Sequence, residues 1–296
     1  MTKMKYLQYL LATLILLIGS CTDRPDKVLP PYYLSAELDA PIEFAEGKII
    51  TSNGINFSND GATLYISKPL QKTFRNGKPF MGIFRSEFKN GRWTNPELVE
   101  FENKIDAYHP VLSSNDQVLF FNSRSHPDSI DLSIRHNIWC SKKTKNSWSL
   151  PEMINGINSP YYDSYPTVAR NNNLYFNSDR PGGKGGMDIY MSRFENGNYQ
   201  EPVNIQSLNS PHSENDLVVD PDERFIIFNR YVDSTNELDL FVSYKDGNDW
   251  KKPIELNEIN QPDEWELTPT LSPDGKYFFY ELNGKIMQFE LAKLLK

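Results

Sequence analysis

The sequence has only two cysteines in 296 residues and only four histidines. It carries no excess of positive charge: 31 Lys and Arg stand against 39 Asp and Glu, for a formal net charge of −8. Removing residues 1–20, which contain Lys3 and Lys5 and no acid, takes that to −10. An acidic chain of this kind excludes an electrostatic grip on nucleic acid or on anionic lipid headgroups. With two cysteines there is no disulfide framework. Cys140 lies in the strand-like "NIWCS" and reads as a buried thiol acting as a small hydrophobe. His109, His126, His136 and His212 are scattered, with no HxxxH or HxH spacing, so no metal site is expected. A G-x-S-x-G elbow is also missing, so a hydrolase serine has no signature. "SNDG" at 58–61 differs from an S-x-D-x-G box by one residue. No cofactor is expected. The long helical pattern is missing too, whereas aromatics reach 13% and prolines number 20. This composition fits an all-β globular protein.

The only sustained apolar run, Leu10 to Ile18, follows the basic Lys3 and Lys5 and precedes Ile18-Gly19-Ser20-Cys21. It is shorter than the roughly 20 residues a spanning helix needs, and reads as a secretion signal over residues 1–20. The stretch ending at Cys21 resembles a bacterial lipobox. That resemblance implies lipidation at Cys21, with a proline-bearing tether over residues 21–32. Thr22, in place of Asp, implies export to the outer membrane, with the periplasmic or cell-surface face left open. Several acyl chains would hold the protein firmly, each buried methylene adding ~0.8 kcal/mol.

Residues 33–296 follow a repeat. An aromatic followed three residues later by proline recurs as Trp93/Pro96, Trp148/Pro151, Tyr199/Pro202 and Trp250/Pro253. Ahead of each aromatic lies a strand-like run ("MGIFRSEF", "HNIWCSKK", "MDIYMSRF", "LDLFVSYK"). Earlier still come two alternating runs joined by a polar turn such as Asn59-Asp60-Gly61 or Pro273-Asp274-Gly275. Alternation around a polar turn is a β-hairpin, so each unit reads as four strands, the fourth carrying the aromatic and the proline. Four antiparallel strands at this period make a propeller blade. Five hairpins but four complete aromatic–proline strands predict five blades, with six as the alternative. The missing fourth strand is expected from the N-terminus, with Pro41 in the proline position. Closure of that kind removes two sheet edges.

"SPDGKYFFYE", "SNDGATLYIS" and the stretch from "YFNSDRPGGKGGMDIYMS" to "DERFIIFNR" resemble the WD40-like PD40 repeat of TolB-type propellers, as found in Bacteroidetes envelope proteins of the OmpA family. The resemblance covers about 260 residues and implies the fold rather than a task. The chain shows no OmpA-like domain, so peptidoglycan binding is not implied.

An acid recurs just before the inner strand in four of the five units: Asp106, Asp163, Glu214, and Glu264 or Glu266; the first unit has Ser52 or Asn53 instead. Three roles fit. The acids can accept framework hydrogen bonds or pair with Arg124, Arg180 or Arg230. They can frame an electronegative mouth for a cation or basic segment. Or they can serve as glycosidase carboxylates, which would need a defined separation and unequal environments. Tyr161, Tyr162 and Trp265 break the repeat beside these acids and suit a partner surface. The expected function is a non-catalytic, lipid-anchored binding scaffold contacting an envelope protein or glycan, with a carbohydrate-active enzyme as the alternative. The glycine-rich "SDRPGGKGGMDIY" is not a Walker A loop, because Lys184 is followed by glycine and then a strand. It reads as a tight connection whose glycines permit positive φ.

Overall fold

A computed structural model of the chain describes residues 31–33, 37–47, 49, 53–74, 77–101, 105–124, 136–145, 147–232 and 236–295. The expected signal segment, Cys21 and nearly all of the expected tether lie outside the described residues. None of the described helices is long and apolar enough to cross a membrane.

Five antiparallel sheets form five blades. Their inner strands are Ile55–Phe57, Tyr108–Leu112, Asp163–Val168, Ser213–Val219 and Leu267–Leu271. Each touches the next around one axis, and the last touches the first. The second strands are Thr63–Thr73, Val118–Ser123, Leu174–Ser178, Phe225–Val232 and Tyr277–Leu282; the third are Pro79–Lys89, Asn137–Lys142, Asp188–Ser192, Glu237–Asp246 and Lys285–Glu290. The outer strands of blades 1–4 are two-residue pieces immediately after the repeated prolines: Glu97–Leu98, Glu152–Met153, Val203–Asn204 and Ile254–Glu255. In blade 5 the outer strand is Ile42–Glu43, just after Pro41, with Ile42 opposite Gln288 and Glu43 opposite Met287. The N-terminus thus closes the ring.

Why the second strands read as unbroken apolar runs follows from this geometry. Each blade is covered on both faces, so successive side chains enter successive interfaces. Leu119 and Phe121 pack toward blade 1, while Phe120 packs toward blade 3. Leu174 and Phe176 face blade 2, and Tyr175 faces blade 4. Five apolar clusters result, one at each junction.

The repeated aromatics stand one step earlier than expected. Trp93, Trp148, Tyr199 and Trp250 lie on a short arm that folds back on the end of the third strand, before the outer strand begins. The proline between arm and outer strand has no N–H to donate, so the ladder breaks there. The serine that recurs in the third strand secures the arm: Ser86, Ser141 and Ser243 donate to the carbonyls of Thr94, Ser149 and Lys251 at 2.5–2.7 Å, and Ser192 donates to Gln200. Each arm aromatic packs into the preceding junction. Trp148 meets Tyr65 of blade 1 edge-on at 6.2 Å, and Trp250 meets Tyr175 of blade 3 at 6.1 Å. Blade 5 has no such arm among the described residues. Its third strand runs into a short helix, Leu291–Leu294, whose Leu291 and Leu294 join the cluster between blades 4 and 5.

Candidate functional site

The loops entering the inner strands gather on one face of the ring, and three of the recurrent acids there are fully buried against arginines. Asp106 takes both Arg124 Nε (2.8 Å) and Nη2 (2.9 Å), and accepts the Met81 N–H at 2.7 Å. Asp163 accepts from Arg180 Nη2 (2.6 Å) and from the hydroxyl and N–H of Ser159. Glu214 accepts from Arg230 Nε (2.7 Å) and from the Ser210 hydroxyl and N–H. Burial raises the Glu214 carboxyl, against the lowering influence of Ser210 and Arg230. Each guanidinium also binds a carbonyl, of Pro79, Ile157 or Leu208. It lies over two rings as well: Arg124 over Phe74 and Tyr108, Arg180 over Phe176 and Tyr190, Arg230 over Phe228 and Phe241. Arg124 and Arg180 follow their second strands, and Arg230 lies near the end of its own. Together with the acids they clamp the loop before each inner strand to its own blade.

Glu266 is the exception. It is equally buried, but its blade has the tight Asn283-Gly284 turn after the second strand and offers no arginine. Glu266 Oε1 accepts the Gln261 N–H at 3.2 Å, and Oε2 has no partner. Burial, then Asp239 and Glu264, push its carboxyl up to about 7.

Around these buried groups the surface carries the aromatics that break the repeat. Tyr162 is 39% exposed and Trp265 is 48% exposed. Tyr162 packs edge-on against His136 at 5.0 Å, and the His136 Nδ1 is 2.6 Å from the Tyr108 hydroxyl. Trp265 donates from Nε1 to the Asn236 carbonyl and meets Tyr231 edge-on at 6.5 Å. Tyr161 and Glu264 are half-buried in the same loops.

The axis carries residues that sequence reasoning missed. One position in each inner strand, or just before it in blade 1, where the hairpin register shifts or the backbone turns to positive φ, faces the centre. It holds Gly54, His109, Tyr165, Asp216 and Thr268 in blades 1 to 5. Neighbours follow in order. A Cβ on Gly54 would stand 3.2 Å from His109 Nδ1 and 3.7 Å from Thr268 Cβ. His109 and Tyr165 are edge-on at 5.2 Å, Asp216 is the main charge acting on Tyr165, and Asp216 accepts the Thr268 N–H at 3.0 Å. Burial pushes His109 down to about 4 and Asp216 up to about 6.

A belt of second-strand residues ties each inner strand to the next blade. Ser67 accepts the His109 N–H and Asn122 accepts that of Tyr165. Asn177 and Asn229 donate to the Glu214 and Glu266 carbonyls. Glu281 accepts the Asn53 N–H across the closure. The recurring "N" in "FFNS", "YFNS" and "IFNR" was the available signal for this belt.

The glycine-rich loop is built for close approach. Of Gly182, Gly183, Gly185 and Gly186, only Gly182 has positive φ (97°). A Cβ on Gly185 would lie 1.6 Å from the His212 carbonyl oxygen, and one on Gly186 2.3 Å from Ser213 Oγ. The amides that could cradle a phosphate are occupied: Asp188 accepts the N–H groups of Lys184 (2.7 Å) and Gly185 (3.0 Å). Cys140 is buried, which pushes its thiol up to about 11.

This ring of five blades defines the class: a β-propeller. Its fold is similar to a TolB protein of Agrobacterium tumefaciens (15% identity, TM-score 0.51, covering 77% of this chain and 68% of that one). It is also similar to an α-L-arabinofuranosidase from Lactobacillus brevis (12%, TM-score 0.53, 83% and 92%) and a gluconolactonase from Xanthomonas campestris (10%, TM-score 0.50, 81% and 86%). No family model and no curated protein matches the sequence. Likeness at these identities shows the fold alone, and it extends to binding proteins and enzymes alike.

Proposed function

We propose that the protein is a non-catalytic binding scaffold of the bacterial envelope, a PD40-type propeller held at the outer membrane by lipid on Cys21. Its contact surface is the inner-strand loop face, where Tyr162 and Trp265 stand exposed, with Tyr161 and Glu264 beside them. The observation that carries this reading is the contrast on that face. Asp106, Asp163 and Glu214 are bound up with arginines, whereas the aromatics that depart from the repeat present their rings to solvent. Rigid exposed aromatics are the side chains that anchor interfaces. An envelope protein or a glycan is the partner such a surface fits.

The test pairs capture from detergent-solubilised envelope with a glycan array. Tyr162→Ser combined with Trp265→Ser should weaken retention of the captured partner at least tenfold, while the melting temperature stays within about 2 °C, as exposed substitutions do. Undiminished capture by the double variant contradicts the assignment of this face. Cys21→Ser should move the protein from the membrane fraction to the soluble fraction.

The second reading, a carbohydrate-active enzyme, draws on the axis carboxylates of Asp216 and Glu281, which no arginine neutralises among the described residues. Their exposures of 4% and 8% favour the binding reading. Hydrolysis of aryl glycosides that disappears in Asp216→Asn would reverse that preference.

A further inference from the structure

Asp216 and Glu281 differ from the clamped acids. Neither takes part in an ion pair among the described residues, and each keeps one buried oxygen, Asp216 Oδ1 and Glu281 Oε2, without a partner. The same is true of Thr268 Oγ1, His109 Nδ1 and the amide oxygens of Asn177 and Asn229. All six belong to the axis ring or to the belt behind it. The two carboxylates lie close enough to act on one another, beside Thr268. Asp216 of blade 4 accepts the Thr268 N–H. Glu281 stands opposite Leu267, next to Thr268 in the sequence, and reaches Asn53 of blade 1. Among the described residues, Asp216 acts on Glu281 and on the Tyr165 hydroxyl. Burying so many unpaired acceptors is costly unless something satisfies them.

We propose that the axis ring binds one divalent cation of the calcium class, held by the Asp216 and Glu281 carboxylates with the Thr268 hydroxyl between them. No three His, Cys, Asp or Glu side chains among the described residues converge as metal ligands. The site is therefore one of two carboxylates, neutral oxygens and water, a donor set that calcium accepts because its shell is large and flexible. Zinc, which favours closed nitrogen and sulfur sets, fits poorly. His109 Nδ1 faces the ring and can accept a hydrogen bond from a metal-bound water. Such a cation would tie blade 4 to blade 5 at the axis, independently of what the loop face binds.

The test uses the full chain, stripped with EDTA at pH 8 and then given calcium chloride. Wild type should gain about 5 °C or more in melting temperature and retain one calcium per chain in equilibrium dialysis. Asp216→Asn and Glu281→Gln each remove a buried charge but keep the oxygen that accepts the Thr268 or Asn53 N–H. Both should melt no lower than wild type in EDTA and lose the calcium shift. Asp222→Asn, at the exposed turn on the other face, should keep it. No shift in wild type with calcium, magnesium or manganese overturns the proposal. So does a calcium shift that survives in both axis variants, because the cation would then be held by the acidic surface.

Discussion

Arg180→Met should destabilise the protein by about 3–5 kcal/mol, the range seen when one partner of a buried ion pair is removed. Asp163 is fully buried and Arg180 is its only cationic partner among the described residues, so the variant strands a charged carboxylate beneath the loop face. The same guanidinium serves the Ile157 carbonyl and stacks on Phe176 and Tyr190, so packing is lost as well. Urea unfolding measures the loss. Adding Asp163→Asn to Arg180→Met should recover part of it, since the stranded charge is then gone. A loss under about 1 kcal/mol would mean that Asp163 finds solvent, as a residue of an open mouth would.

Glu266→Gln should have the opposite sign. In blade 5 the acid is buried with no arginine, beside Asp239 and Glu264, and protonates near 7 rather than at its ordinary 4.5. Between these values the unfolded chain gives up the proton while the folded chain keeps it. Stability attributable to this residue therefore falls as pH rises from about 4.5 and levels off above about 7. At ~1.4 kcal/mol per pH unit the cost at pH 8 is about 3 kcal/mol. The variant, which keeps the acceptor for the Gln261 N–H, should be more stable than wild type at pH 8 and no more stable at pH 4. A stability difference that does not change with pH would show that Glu266 is already neutralised or solvated.

These opposite effects come from one column of the repeat, which shows how far the sequence carries. The four-strand period, the Pro41 position and the acid of four inner-strand loops all repeat, so they were legible as pattern. Their partners were legible too, because Arg124, Arg180 and Arg230 stand at the ends of the second strands in phase. Trp148 and Trp250 stand on the arm rather than on the outer strand to which the repeat assigns them, because the proline that marks the outer strand also ends the arm before it. The axis residues escaped for the opposite reason. Gly54, His109, Tyr165, Asp216 and Thr268 share a position but no chemistry, and a periodicity search discards a column of that kind. In "HSENDL" the repeating Glu214 drew the eye from Asp216 two residues on. The glycines at 182–186 differ from expectation in a smaller way: composition suggests positive φ, whereas Gly185 and Gly186 answer to close approach by the neighbouring blade and Gly183 to the Asp188 carboxylate of its own.

All of these assignments depend on a ring closed by the N-terminal strand, and a cross-link tests that directly. Glu43 and Met287 face each other across the closing pair, within the range a disulfide spans in such a pairing. Glu43→Cys with Met287→Cys, in a Cys21→Ser background, should form one intramolecular disulfide on mild oxidation, leave Cys140 reduced and raise the melting temperature. Cysteines that stay reduced, or that pair only between molecules, would contradict a closed five-bladed ring.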